Sequence, residues 1–195
     1  YNNNASDTFE LGARGAGKSY YYSLAINLYE LLFDGAKEYN EETRKKPATT
    51  EIIIGAAISA KSNEFCAKIK LAMNELATNP ELGCWGKPGD EDYQPSPFYK
   101  DMAGSLEPNN AKTPYIHKYS KKVNGRWVDG FGTGSKLIHV SFTKENPEAA
   151  AGQRAARITL EEVGLVENLL NVISSIEPCQ REGDFKFGST HYLGT

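Results

Sequence analysis

The chain has 195 residues, 39% hydrophobic and 24% charged, enough for one well-packed soluble domain and short for two. No apolar run approaches the ~20 residues of a membrane span, and nothing at the start reads as a signal peptide. A net charge of -3 excludes a protein that coats nucleic acid with its whole surface, so any DNA contact must be local.

The three cysteines, Cys66, Cys84 and Cys179, are widely spaced and form no CxxC pair. They read as free thiols in a reducing compartment, with neither a zinc knuckle nor a disulfide frame. The first residue is not methionine, which fits a piece of something longer.

After a polar, Asn-rich lead-in over residues 1–7, Thr8-Phe9-Glu10-Leu11 reads as a short strand. Gly12-Ala13-Arg14-Gly15-Ala16-Gly17-Lys18-Ser19 follows and fits G-x-x-x-x-G-K-[ST] at every fixed position. Glycines let such a loop curl with its N–H groups inward, an anion nest at the start of a helix whose dipole also favours phosphate. Lys18 is expected at the β- and γ-phosphates of ATP and the Ser19 hydroxyl on Mg²⁺, with the backbone from Gly12 to Tyr20 lining the nucleotide. The alternative is a glycine-rich turn that merely precedes a helix. The strand–loop–helix context favours nucleotide binding.

Tyr21, Leu24, Ala25, Leu28, Leu31 and Leu32 recur at helical spacing and predict a helix over 18–33 with one buried stripe, stopped by Asp34-Gly35. Tyr20, Tyr21 and Tyr22 suggest a base-stacking platform; the plainer reading puts at least one in the core and the others on the helix surface. Residues 37–50 are charged. Glu51-Ile52-Ile53-Ile54-Gly55-Ala56-Ala57-Ile58 is a continuous apolar run that suits a parallel strand covered on both faces. Phe65, Ile69, Ala72, Met73 and Leu76 predict a second helix, with Ser62 as its N-cap.

No periodicity survives from 78 to 114. A loop that long points to an insertion, a lid or a partner-binding arm, and the residues do not choose among them. Residues 115–129 read as a hairpin turning at Asn124-Gly125. Its Lys118, Lys121, Lys122 and Arg126, with Tyr119, form a basic patch able to touch DNA phosphates without reading sequence. The alternative is a solvated hairpin whose lysines guard an edge strand. Residues 135–142 read as a strand, and Arg157-Ile158-Thr159-Leu160 as another that ends in Glu161-Glu162. Leu169, Leu170, Val172, Ile173 and Ile176 make a third helix. Asp184-Phe185-Lys186-Phe187-Gly188 reads as a last strand running into Ser189-Thr190. Strands alternating with helices predict a parallel sheet with right-handed crossovers.

Two adjacent carboxylates at the C-terminal end of a strand can divide the work of hydrolysis. Glu161 is expected in the Mg²⁺ shell, and Glu162 is expected to orient and deprotonate the attacking water. The alternative is a helix that opens on two acidic residues suited to its dipole. A strict Walker B motif has Asp where this chain has Glu161. At least two strands lie between the loop and this pair, so an added strand is expected to separate them in the sheet. That arrangement resembles the additional-strand catalytic-glutamate division of P-loop NTPases. The fold expected is a three-layer α/β/α sandwich with a mostly parallel central sheet, all 195 residues forming a single ATPase domain. A loop insertion is expected at about 78–114 and a hairpin at about 115–130.

Several features together resemble the large terminase subunit of tailed bacteriophages. They are Arg14 inside the P-loop, the Gly134-Ser135 step opening a strand, and the small-residue stretch Ala149-Ala150-Ala151-Gly152-Gln153-Arg154 before the acidic strand. Ser189-Thr190, at the end of the following strand, resembles the family's coupling motif. The resemblance implies Mg-dependent ATP hydrolysis powering translocation of double-stranded viral DNA into a procapsid. It implies catalytic roles for Glu162, Lys18 and Arg14, and makes Arg154 a candidate to reach a neighbouring subunit, with a plain surface residue as the alternative. It also implies a homo-oligomeric ring (a pentamer), portal and small-terminase partners, and work in the host cytoplasm, off the membrane and not retained in the virion. The family's nuclease carboxylates are not found in this stretch, so no DNA cleavage is expected of it. The alternatives are another P-loop translocase or helicase-like ATPase, or a nucleotide-gated binding switch.

Overall fold

The computed structural model describes residues 6–13, 15–28, 30–31, 51–78, 91, 105–108, 114–131 and 134–194. In chain order the elements are β1 (Thr8–Leu11), α1 (Lys18–Tyr20) running into a π-helical stretch (Tyr21–Asn27), β2 (Glu51–Ala56) and α2 (Ser59–Thr78). Next come β3 (Ser105–Pro108), β4 (Tyr115–Val123), β5 (Arg126–Phe131), β6 (Lys136–Ser141) and β7 (Arg157–Glu161). The chain closes with α3 (Leu169–Ile176), β8 (Arg181–Glu182), β9 (Phe185–Lys186) and β10 (Ser189–Gly194). They group into two compact units, one of Tyr1–Asn27, Glu51–Ala67 and Leu137–Thr195, the other of Leu28–Thr50 and Lys68–Lys136.

In the first unit the strands lie in the order β1-β10-β7-β2-β6, with β1, β10, β7 and β2 all parallel. The pleat sorts their side chains into two layers. Arg157, Thr159 and Glu161 of β7 face the helix that follows the glycine loop, where Asn27 Nδ2 donates to Thr159 Oγ1 at 3.2 Å. Ile158 and Leu160 face the other layer and join Ile53, Phe142, Tyr192 and, from α3, Val172 and Ile176 in the apolar core. Those two α3 residues are four apart and so share one helical face. Burying each side chain of this size contributes about 1.5–3 kcal/mol. At Gly55 of β2 a Cβ would lie 2.4 Å from the Phe142 ring and 2.6 Å from Leu160 Cδ2, so the core packs directly on bare backbone.

The first helix differs from expectation. Its i→i+5 stretch widens each turn, and among the described side chains the buried ones become Tyr22, Ile26, Asn27, Leu28, Glu30 and Leu31, while Tyr21, expected inside, is 49% exposed. α2 opens at Ser59, earlier than expected, so Ser62 lies within the first turn and donates to the Ser59 carbonyl instead of capping the end. The last strand also differs. Residues 185–186 pair with β8 in a two-stranded hairpin, and a separate strand begins at Ser189 and runs to Gly194.

In the second unit β4 pairs antiparallel with β3 and with β5. Asn124 and Gly125 have φ of 52° and 75°, the positive pair that a two-residue type I′ turn requires. β3 lies inside the stretch read as structureless; a four-residue strand with Pro108 at its end becomes regular only by borrowing the backbone of β4. The rest of the expected 78–114 loop lies almost wholly outside the described residues. No helix among the described residues is long and apolar enough to cross a membrane.

Candidate functional site

β1 ends at Leu11, and the Gly12 N–H donates to the Gly194 carbonyl at 3.3 Å, fixing the start of the loop on β10. Gly15 and Gly17 take φ of 80° and 79°, a left-handed backbone that would cost any other residue about 1–2 kcal/mol. The chain thereby turns from strand into helix within a few residues. Lys18 folds back across this turn, its ammonium donating to the carbonyls of Gly12 at 2.5 Å and Ala13 at 3.2 Å. Its charge is held over the beginning of the loop. Arg14 lies outside the described residues.

Glu161 is the last residue of β7, two strands away from β1 with β10 between them. Ser19 Oγ nevertheless donates to Glu161 Oε1 at 2.6 Å, across 142 positions of sequence. Both residues are half-buried. A hydroxyl and a carboxylate side by side are the hard oxygen donors that Mg²⁺ takes, usually one or two from protein with phosphates and water completing the shell. Among the described residues no group of three or more His, Cys, Asp or Glu could hold a metal, so there is no all-protein cage. Ser19 and Glu161 fit a metal shared with a phosphate.

Glu162 follows immediately, with φ 53° and ψ 52°. In a continuing strand its side chain would face the opposite layer from Glu161. The left-handed turn removes that constraint at a cost of about 1–2 kcal/mol, the kind of strain that collects at functional positions. Its carbonyl accepts from the Leu165 N–H at 2.9 Å and starts a short 3₁₀ turn.

The sequence matches no protein-family model and no curated protein. Among solved structures, the large-terminase ATPase domain of Thermus phage P74-26 superposes with a TM-score of 0.60 at 14% identity, covering 98% of this chain and 59% of that one. The HK97 bacteriophage large terminase does so with a TM-score of 0.51 at 14% identity, covering 98% of this chain and 29% of that one. This is the fold of a large-terminase ATPase domain. The chain thus spans well under two thirds of the terminase structures it resembles.

Within this terminase fold the remaining expected residues fall in three places. Ser189 and Thr190 sit at the beginning of β10, in register with Arg157 and Ile158 at the beginning of β7. The expectation that they end a strand beside the loop is corrected: at ~3.3 Å per residue, Thr190 lies about 13 Å along the strand from Gly194. Their polar atoms are already used. Arg157 Nη1 donates to Ser189 Oγ at 3.0 Å, Gln180 Nε2 to the Ser189 carbonyl at 2.6 Å, and Thr190 Oγ1 to Gln180 Oε1 at 2.9 Å. Asp7 accepts from the Thr190 N–H and from Lys186.

His191 belongs to this cluster. Arg157 Nη1 donates to its Nε2, which leaves Nδ1 as the protonated nitrogen, donating to Thr8 Oγ1 at 2.5 Å. Burial and the adjacent Arg157 guanidinium, opposed by Asp7, push its pKa down to about 4. It is a neutral strut joining β1, β10 and β7. Sequence reasoning missed this network; its visible signal was an arginine opening a strand with apolar Ile158 and Leu160.

Arg154 is exposed and pairs with Glu182 at 2.9 Å, its guanidinium 4.4 Å from the Phe187 ring centroid. Lys118, Lys121 and Lys122 lie on β4, and Arg126 is exposed on β5 directly after the turn. Cys66 and Cys179 are buried free thiols, and burial pushes the Cys179 pKa up.

Proposed function

We propose that this domain hydrolyses Mg·ATP and uses the energy to drive double-stranded viral DNA into a procapsid. One observation carries the reading: the Ser19 hydroxyl of the glycine loop reaches the Glu161 carboxylate of a strand two places away. A glycine-rich turn with no ligand would have no need of that junction.

The backbone N–H groups from Gly12 to Tyr20 and the Lys18 ammonium bind the phosphates, with Arg14 adding positive charge at the same loop. Ser19 and Glu161 would hold Mg²⁺, which when bound would supply positive charge to offset that on the phosphate oxygens. Glu162 orients a water molecule and takes its proton as the oxygen attacks the γ-phosphorus. The bond to the β,γ-bridging oxygen breaks, and ADP and phosphate leave. The interposed β10 supports reading the domain as an ATPase of the additional-strand catalytic-glutamate kind.

Loss of the γ-phosphate removes charge beside Lys18. Routes into the sheet are the Ser19–Glu161 bond to β7 and the Gly12–Gly194 bond at the end of β10, whereas Ser189 and Thr190 are engaged at the other end. Arg154 is assigned to a neighbouring subunit's nucleotide in a pentameric ring on the portal, with the small terminase subunit as a further partner. Lys118, Lys121, Lys122 and Arg126 are assigned to DNA phosphates. The setting is the cytoplasm of the infected host.

Glu162→Gln tests the reading, because it keeps shape and removes the base. ATP binding, measured by calorimetry with Mg²⁺, is expected to persist, while turnover falls by about 10²–10⁴-fold. Unchanged turnover would sink the assignment of the base. Wild-type binding without any turnover, alone or with DNA, would favour the switch reading.

A further inference from the structure

We propose that the exposed rings of Tyr20 and Tyr21 are the nucleoside platform of this site, stacking on the base of the triphosphate whose phosphates meet Lys18 and Ser19. The inference rests on the ATP reading above and names what holds the other end of that ligand.

Three consecutive tyrosines follow Ser19, and the fold treats them differently. Tyr22 is 4% exposed, whereas Tyr20 is 60% and Tyr21 49% exposed. Tyr22 is fixed in place. Its hydroxyl donates to the Glu10 carboxylate on β1, and its ring lies tilted against His191 with centroids 4.9 Å apart. Tyr21 meets Tyr22 edge to face, centroids 5.3 Å apart at 90°, an arrangement that aromatic quadrupoles favour. A ring that is half in solvent is thereby braced by one tied to the strand before the loop. Holding an aromatic surface in water in a set orientation gives nothing to the core; it suits a flat ligand.

Position supplies the rest. Tyr20 adjoins Ser19, and Tyr21 is three residues past Lys18, so at about 1.5 Å per residue both lie within ~5 Å of the lysine along the helix. A triphosphate anchored at Lys18 and Ser19 carries its nucleoside into this neighbourhood. Among the described residues the other exposed aromatic near the loop is Phe9, which is already stacked on Tyr192 at 4.1 Å and 6° and alternates with Glu10 onto the opposite face of β1. It offers no comparable surface on the Tyr22 side.

Stacking accepts any base, since every base has a π-face, and is worth about 5- to 150-fold in affinity. Stacking on the two rings alone therefore separates ATP from GTP by no more than a few-fold.

The test compares ATP with inorganic tripolyphosphate, which has the phosphates and no nucleoside, by calorimetry with Mg²⁺. The proteins are wild type, Tyr20→Ala, Tyr21→Ala and Tyr21→Phe. Wild type is expected to bind ATP at least about fivefold more tightly than tripolyphosphate. Each alanine variant loses that margin with tripolyphosphate affinity kept, and Tyr21→Phe retains it. Equal binding of the two ligands by wild type, or alanine variants that keep the ATP preference, would overturn the platform. So would a variant that loses both ligands together, which assigns its ring to the scaffold. Failure of the ATP reading looks different: wild type binds neither ligand, or Lys18→Ala changes neither affinity.

Discussion

The two ends of β7 and β10 both gather polar groups and use them in opposite ways. At the N-terminal end Arg157, Ser189, Thr190, His191 and Gln180 are buried and bonded to one another or to Thr8 and Asp7. At the C-terminal end Lys18, Ser19 and Glu161 are only half-buried, next to two left-handed glycines and a left-handed glutamate. Buried polar groups need partners within the protein, and those at the first end largely have them. The groups at the second end remain within reach of a ligand. Polarity alone thus does not mark a site; partial exposure together with backbone strain does.

Lys18→Ala breaks this contrast most sharply. ATP turnover is expected to fall by about 10²–10³-fold or more, while stability in urea stays within about 0.5 kcal/mol because the side chain is half-exposed. A large loss of stability would mean that the loop end is structural too.

Acid probes the opposite end. The folded-state pKa of His191 is pushed down to about 4 from the usual 6.5, so between these values the unfolded chain binds the extra proton. Its contribution is complete above about pH 6.5 and is lost as pH falls toward 4, up to on the order of 3 kcal/mol. The groups around it are Arg157, which opposes protonation, and Asp7, which favours it. Urea unfolding of wild type and His191→Gln at pH 7 and pH 4.5 isolates the effect. Parallel losses in the two proteins would show that His191 is not responsible.

Thr190→Val removes the hydroxyl from Gln180 and leaves a buried acceptor unpaired, at about 1–3 kcal/mol. Turnover at saturating ATP is expected to stay within about twofold, since the site is some 13 Å away; a large loss would restore the coupling role to this pair. Smallest is Arg154→Ala, whose exposed ion pair and ring contact with Phe187 together contribute about 0.5–1 kcal/mol. Turnover of the isolated domain should not change. A loss confined to assembled rings would support a role across the subunit boundary.

Where partners are close in sequence, the chain could be read. β1, α3 and the Asn124–Gly125 turn have the bounds expected from periodicity and turn chemistry. The loop and the acidic pair each announced themselves by a local pattern; a separating strand was expected from those lying between them in sequence, whereas the one that fills the place is β10, from beyond the pair. What escaped depends on distant residues. β10 opens on Ser189 and Thr190, which look like a turn until Arg157, Gln180 and Asp7 are seen to satisfy them. The buried face of the first helix is set by a π-helical stretch and by the pull of Glu10 and His191 on Tyr22, neither of which has any expression in an i, i+3, i+4 pattern.

At Gly55 the Phe142 ring lies against naked main chain and touches Leu160, the residue just before the carboxylate that meets Ser19. One added carbon atom there has no free space to enter. It would press the ring or Leu160, and that pressure would arrive at Glu161 from behind, through the apolar side of the sheet. The face that carries the loop and the acidic pair can therefore be adjusted from its dry side, without altering any group that handles charge.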